Sequence, residues 1–227
     1  MIVMKKTSVK QEILDYLYNN KYNNEVIKLT DLYSKFKNLN EVTIRQSLIR
    51  LTKEEQLIKV KDGIYTYPNT SSIIGKDNYK ISTIIEQKYL FDSEGNRIGY
   101  IGGINFANKL GLTTQTAKSE VVFSNIVANK KRRINIKKHT ITINAPRVLV
   151  TKNNYKLLQV LDLLNDFKSY SELSIRSALT KISNYLLDTK MSIEEMDEIV
   201  SKYPLLAQKN FYQMGVDHVI TQNTSHL

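Results

Sequence analysis

Apolar positions in the first third of the chain repeat at helical spacing and then switch to strand spacing. Over residues 8–19, SVKQEILDYLYN, a single stripe holds Ile13, Leu14, Leu17 and Tyr18, which predicts an amphipathic helix. The polar text NNKYNN interrupts it. Leu32, Tyr33 and Phe36 then mark a second short helix, DLYSKFK, with Thr30 as its expected N-cap. Leu39-Asn40 makes a turn, and Asn40 is placed to cap a third helix running to about Glu55. At helical periodicity Ile44, Ser47, Leu48 and Leu51 share its inner face. Two strand-like runs follow, LIKV and GIYTYP, joined by Lys61-Asp62-Gly63 in the manner of an Asp-Gly hairpin.

Three helices followed by a hairpin predict a winged helix-turn-helix over residues 1–70. The outward side of the third helix shows Val42, Thr43, Gln46, Ile49, Arg50 and Lys53, with Arg45 on the flank. Gln and Arg at such positions match the donor and acceptor edges of adenine and guanine in a major groove. Lys59 and Lys61, on the hairpin, fall where a wing meets a phosphate backbone. The same pattern also suits a protein-binding module, a reading that Val42 and Ile49 favour; apolar side chains also meet thymine methyls.

The pattern beyond Pro68 predicts a mixed α/β module over 71–150 and a helical module over 151–227, giving an α+β protein. Residues 78–90, NYKISTIIEQKYL, read as a helix, and DSEGN as a turn. A short helix is expected from Gly102 to Leu110 with Ile104, Ala107 and Leu110 inward. EVVFSN, RRINIKK and TITIN alternate as strands. Further on, Tyr155, Leu158, Val160, Leu161 and Leu164 mark one helix, and Ser171 to Leu187 holds another. Ser192 and Glu195 form a capping box for a third, a fourth follows Pro204, and the tail TQNTSHL is expected to fray.

Charge sharpens this division. Of the net +11, residues 1–68 carry +4, residues 69–150 carry +8 and residues 151–227 carry −1. The basic excess suits a polyanionic partner, although a merely solvated basic surface explains it equally well. The change of sign at 151 points to a different partner for the helical end. The densest basic run, Lys130, Lys131, Arg132 and Arg133 followed by Lys137 and Lys138, reads either as phosphate contacts or as a charged strand edge that discourages pairing.

Candidate chemistry adds little. With no cysteine there is no disulfide framework and no thiolate metal site. His139, His218 and His226 lack metal spacing, so no metal or other cofactor is expected. Glu194, Glu195, Asp197 and Glu198 follow a capping serine, where acids favour the helix dipole. GYIGG has neither the spacing nor the following helix of a phosphate-binding loop, and no nucleophile elbow occurs, so catalysis is not expected. Without a long apolar run or a signal-like start, a cytosolic protein free of membrane is the expectation.

Two stretches carry a resemblance. TIRQSLIRLTKEEQLIKVKDGIYTYP resembles the winged-helix start of AbiEi-type antitoxins. GGINFANKLGLTTQTAKSEVVFSN is similar to the middle segment of AbiEi-like proteins, with Asn108, Leu110, Gly111, Leu112, Thr113, Thr114 and Gln115 matching the motif. The likeness spans roughly residues 8 to 215. It implies an antitoxin of a type IV-like toxin–antitoxin (abortive infection) system that represses its own promoter, encoded beside a nucleotidyltransferase-like toxin it need not touch. Binding to duplex DNA as a homodimer on inverted repeats follows from the same likeness. The chain departs from the pattern at Ile49, where a small polar residue is usual, and at Glu55, where a glycine usually ends the recognition helix. A solitary repressor of a mobile element and an adaptor that never meets DNA are the alternatives.

Overall fold

The computed structural model describes residues 8–20, 26–68, 81–127, 131–136 and 139–225. These divide into two compact units, Met1–Lys88 and Tyr89–Leu227.

In the N-terminal unit, Ser8 accepts a hydrogen bond from Gln11 N and opens α1 (Val9–Asn19), whose Ile13 and Leu17 are buried. A strand that the apolar pattern did not disclose comes next, β1 (Val26–Lys28). It runs straight into α2 (Leu29–Lys35), so the helix starts earlier than Thr30 would allow as a cap; its N-cap position is Lys28, which has no capping side chain. Leu29 N is satisfied instead by Gly63 O at 2.9 Å. After α3 (Glu41–Lys53) the chain forms β2 (Ile58–Lys61) and β3 (Ile64–Thr66). The three strands pair antiparallel in the order β1-β3-β2. One core joins them to the helices, holding Ile13, Leu32, Ile44, Leu48, Leu57 and Tyr65 among others. Tyr67 closes it by donating its hydroxyl to Leu17 O at 2.5 Å, and burial pushes that phenol up to about 12. Tyr65 and Tyr67, just before Pro68, therefore fasten the hairpin to the helices. This order and pairing is the winged helix-turn-helix expected above.

The helix expected over 78–90 is described from Ile81. It runs as α4 (Ile81–Ile85) and widens into a π-helical turn, Glu86–Leu90.

The C-terminal unit is built on β4 (Gly99–Gly102), β5 (Glu120–Ser124), β6 (Arg132–Ile136) and β7 (His139–Asn144), in the order β4-β5-β7-β6. β5 and β7 run parallel, while the other two pairings are antiparallel. Between β4 and β5 lies α5 (Gly103–Lys109), whose buried residues are Phe106 and Ala107. Of the residues expected inward, Ala107 is buried and Leu110, half-buried, packs against the core, while Ile104 is half-buried. Gly99 has no room for a side chain: a Cβ there would stand 2.2 Å from Tyr89 O and 2.5 Å from Phe123 O.

The helical end comprises α6 (Tyr155–Asn165), α7 (Phe167–Tyr170), α8 (Ile175–Leu186), α9 (Ile193–Ser201), α10 (Leu205–Gln213) and α11 (Val216–Ser225). Helix α8 starts at Ser174, whose side chain caps Ser177 N, and not at Ser171. The serine half of the expected capping box is formed, with Ser192 Oγ accepting from Glu195 N at 3.1 Å. The described part of the tail differs from expectation, while residues 226–227 lie outside the described residues. Residues Thr221 to Ser225 continue α11, held by the buried Ile220 and by Asn223, which donates to Leu186 O at 2.9 Å.

The expected boundary at 150 disappears. Tyr100, Phe106 and Leu112 share one continuous core with Leu158, Leu161, Ile182, Phe211 and Ile220. Residues from the strands and from the helices thus fill one cluster, so the two sequence modules are one structural unit.

Candidate nucleic-acid interface

Helix α3 is started by Asn40, whose Oδ1 accepts from Val42 N at 2.8 Å. Ile44, Ser47, Leu48 and Leu51 are buried, as the periodicity requires. A serine is tolerated on that face because its hydroxyl donates to Thr43 O at 2.9 Å. The opposite face is open. Val42 is 58% and Ile49 51% exposed, Arg45, Gln46, Arg50 and Lys53 are exposed, and Thr43 is half-buried. The helix ends with Glu55 at φ 57°, the left-handed conformation glycine favours, while Gln56 N donates back to Leu51 O at 2.9 Å. A non-glycine side chain sits at the position where the resembling family usually has a glycine, and the backbone keeps the glycine-like geometry.

Within that face the polar groups differ in freedom. Gln46, Arg50 and Lys53 make no side-chain hydrogen bond or ion pair with other described residues. Arg45 is held: its Nε donates to the Tyr33 hydroxyl, its guanidinium lies 5.7 Å over the Tyr33 ring, and Nη2 is 3.7 Å from Glu41 Oε2. The Tyr33 hydrogen bond is the main cause of its raised pKa. Tyr33 is a residue the apolar pattern assigned to packing; its role as the anchor of Arg45 has no signal in the sequence.

On the wing, Lys59 Nζ lies 2.7 Å from Asp62 Oδ1. The hydrogen bond from Lys59 holds the Asp62 carboxyl below its ordinary range, and Asp62 in turn raises Lys59. Lys61 has no such partner among the described residues. The tight turn is closed by Gly63 at φ 73°.

The second basic run is arranged otherwise. Lys130 lies outside the described residues, as do Lys137 and Lys138. Lys131, Arg132 and Arg133 are exposed. Arg132 and Arg133 begin β6, the edge strand, opposite Ile143 and Thr142. Successive side chains on a strand point to opposite faces, so these two arginines do not line one track. The placement fits a charged sheet edge.

The Asn108-to-Gln115 motif proves to be a clasp. Gly111, at φ 68°, ends α5, and Leu112 is buried with its N–H on Ala107 O. Thr113 Oγ1 donates to Glu172 Oε1 at 2.7 Å, and Thr114 N and Oγ1 both reach Glu172 Oε2 at 3.2 Å. Asn108 Nδ2 donates to Gln115 O at 3.1 Å, and Glu172 N returns a bond to Leu112 O at 2.9 Å. These donors, Thr113 first, keep the Glu172 carboxyl below its usual range. The motif residues tie α5 to the segment before α8.

The N-terminal unit is thus a winged helix-turn-helix with an open outer face on α3, carried in one chain with an α+β unit. The chain belongs to the family of unknown function DUF6088, whose model matches residues 13–188. That span starts in α1 and ends just beyond α8, taking in residues of both units. No curated protein matches the chain. Among the described residues no helix is long and apolar enough to cross a membrane.

Proposed function

We propose that the protein is a DNA-binding transcriptional repressor that reads its own promoter through α3. The carrying observation is the outward face of that helix, where Gln46, Arg50 and Lys53 stand without partners among the described residues, beside exposed Val42 and Ile49. Gln46 and Arg50 are side chains fitted to adenine and guanine edges, and the two apolar ones are fitted to thymine methyls. Lys53 and Lys61 supply phosphate contacts, and Lys59 joins them once it exchanges Asp62 for a phosphate. The resemblance of residues 43–68 to AbiEi-type antitoxins, and of residues 102–125 to related AbiEi-like proteins, supports a further role as the antitoxin of a nucleotidyltransferase-like toxin.

The test is fluorescence anisotropy of the full chain on duplex DNA from upstream of its gene and on a scrambled duplex, across a salt series. Tighter binding to the native sequence, with log K falling linearly in log salt, is expected. Replacing thymine by uracil in the native duplex removes only methyl groups and is expected to weaken binding. Equal affinity for both duplexes at every salt would overturn the reading. Exposed Val42 and Ile49 favour a second reading, a protein-binding adaptor, and absence of any DNA affinity at low salt would favour it. The antitoxin role is tested by co-expression with the neighbouring reading frame in a growth assay, where failure to restore growth counts against it.

A further inference from the structure

A cavity of about 350 Å³ in the C-terminal unit takes no part in reading DNA. Its walls come from the sheet (Phe123 and Asn144), from Arg147 after β7, and from α6 and its C-terminal turn (Asp162, Asn165 and Asp166). The volume is within the range of small-molecule sites.

The carboxylate of Asp162 sets its character. Tyr100, fully buried, donates to Asp162 Oδ2 at 2.6 Å. That tyrosine is itself fixed: its ring stacks on Phe123 at 5.0 Å, and its oxygen lies 3.5 Å from the Tyr203 hydroxyl. Asp162 Oδ1 has no donor among the described residues. Burial pushes this carboxyl up to about 7, against the pull of Tyr100 and Arg147, while the nearby charge of Asp166 pushes it further. The residue is half-buried, and its unpartnered Oδ1 faces the open cavity, where a ligand's donor can displace water from it. Oδ2 of Asp162 is needed to accept from the buried Tyr100 hydroxyl, whereas Oδ1 is left for whatever enters the cavity.

The lining defines the complement. Asp162 and Asp166, four residues apart, offer only acceptors when ionised, Asp166 already taking one bond from Asn165 Nδ2 at 3.2 Å, and the amides of Asn144 and Asn165 line the same cavity. Phe123 contributes an aromatic wall. Arg147, exposed and 5.7 Å over the Tyr203 ring, supplies a positive charge at the rim. We propose that the cavity binds a small molecule bearing a planar guanidine unit, its N–H edge on Asp162 and Asp166 and an anionic group at Arg147. A guanidine edge meets a carboxylate through paired, parallel hydrogen bonds. Two sources share this chemistry: arginine, with its carboxylate, and a guanine nucleotide, whose base edge is a cyclic guanidine and whose phosphate is the anion. The proposal is independent of the DNA-binding reading.

Isothermal titration of the full chain with L-arginine and with guanosine monophosphate tests it, with citrulline and adenosine monophosphate as controls that lack the guanidine. Binding of arginine or of the guanine nucleotide is expected, and which of the two binds identifies the source. The matching control should bind about tenfold weaker or less, because its edge no longer presents paired donors to a carboxylate. Asp162→Asn should weaken the bound ligand by about tenfold or more, while the variant's circular dichroism and melting show that it is folded. The exposed Asp166→Asn serves as a second variant with the same expected direction should Asp162→Asn not fold. Absence of heat with both ligands at millimolar concentration, controls that bind equally, or affinity unchanged in the folded variants would overturn the proposal.

Discussion

On α3, Gln46, Arg50 and Lys53 reach solvent with no side-chain partner among the described residues. Within the C-terminal unit a set of polar side chains turns inward: Tyr100 bonds Asp162, Gln159 donates to Ile101 O at 2.7 Å, and Tyr185 donates to Gln159 Oε1. A solvated polar group without a partner costs the fold almost nothing and stays available to a ligand. A buried one must be bonded or it weakens the fold. Substitutions in the two regions should therefore register in different measurements, binding for the first and stability for the second.

The largest expected effect breaks or upholds that contrast directly. Gln46→Ala combined with Arg50→Ala should cost about 1–3 kcal/mol of sequence preference for each base that is no longer read. The melting temperature should stay where it was. Arg132→Gln with Arg133→Gln should leave preference for the native duplex over the scrambled one intact. Competition binding on both duplexes decides; a loss of preference in the β6 variant but not in the α3 variant would reverse the assignment of the two basic segments.

Next comes Asp162→Asn in the absence of ligand. Its carboxyl is raised to about 7. The folded state therefore holds a proton between the ordinary carboxylate range and about pH 7 that the unfolded chain has released. Stability from this group is full at acid pH and is lost as pH rises through 7. The substitution should accordingly stabilise the protein by on the order of 2–3 kcal/mol at pH 8 and hardly at all near pH 4. Denaturant melts at the two values measure it, and an equal effect at both would show that the proton is not the cause.

Smaller again is Thr113→Val, which keeps the shape of a buried residue but removes the donor to Glu172. Loss of one such bond should lower the melting temperature by a few degrees, leaving DNA affinity unchanged. The depressed Glu172 carboxyl adds a pH signature: its contribution is present at neutral pH and lost as pH falls through the acid range. The variant should thus differ less from the parent in acid than at neutral pH.

The least effect is expected from Glu55→Gly. With φ at 57°, relief of backbone strain should exceed the added freedom of the unfolded chain, for a net gain of about 1 kcal/mol. Calorimetry of the full chain is the measurement, and destabilisation would mean that the Glu55 side chain contributes more than its backbone costs.

What the sequence disclosed follows from how local each signal is. The inner face of α3, the caps at Asn40 and Ser192, and the Asp62-Gly63 turn depend on residues a few positions apart, and all are present, whereas the cap expected at Thr30 is displaced by β1. Strand β1 was hidden because three residues, Val26 to Lys28, are too few to show alternation. The partners Tyr33 for Arg45 and Glu172 for Thr113 lie 12 and 59 residues away along the chain, and no spacing rule connects them. The Asp162 cavity was illegible for the same reason: Phe123, Asn144 and Asp162 come from β5, β7 and α6, which no local spacing connects. Of the two basic segments, periodicity already placed one on an outward helix face, while the strand pairing of Arg132 and Arg133 was needed to put the other at a sheet edge.

The shared core of the C-terminal unit has a consequence for the order in which the protein is made. Its apolar cluster draws on residues from Tyr100 to Ile220, whereas that of the N-terminal unit runs only from Ile13 to Tyr65. A ribosome releases the chain from its first residue onward, so the winged helix has its whole core available while more than half of the protein is still being synthesised. The sheet must wait, with Tyr100 and Phe106 uncovered, until α11 has emerged. During that interval a nascent chain presents a completed helix-turn-helix on an unfinished body that proteases and chaperones can engage.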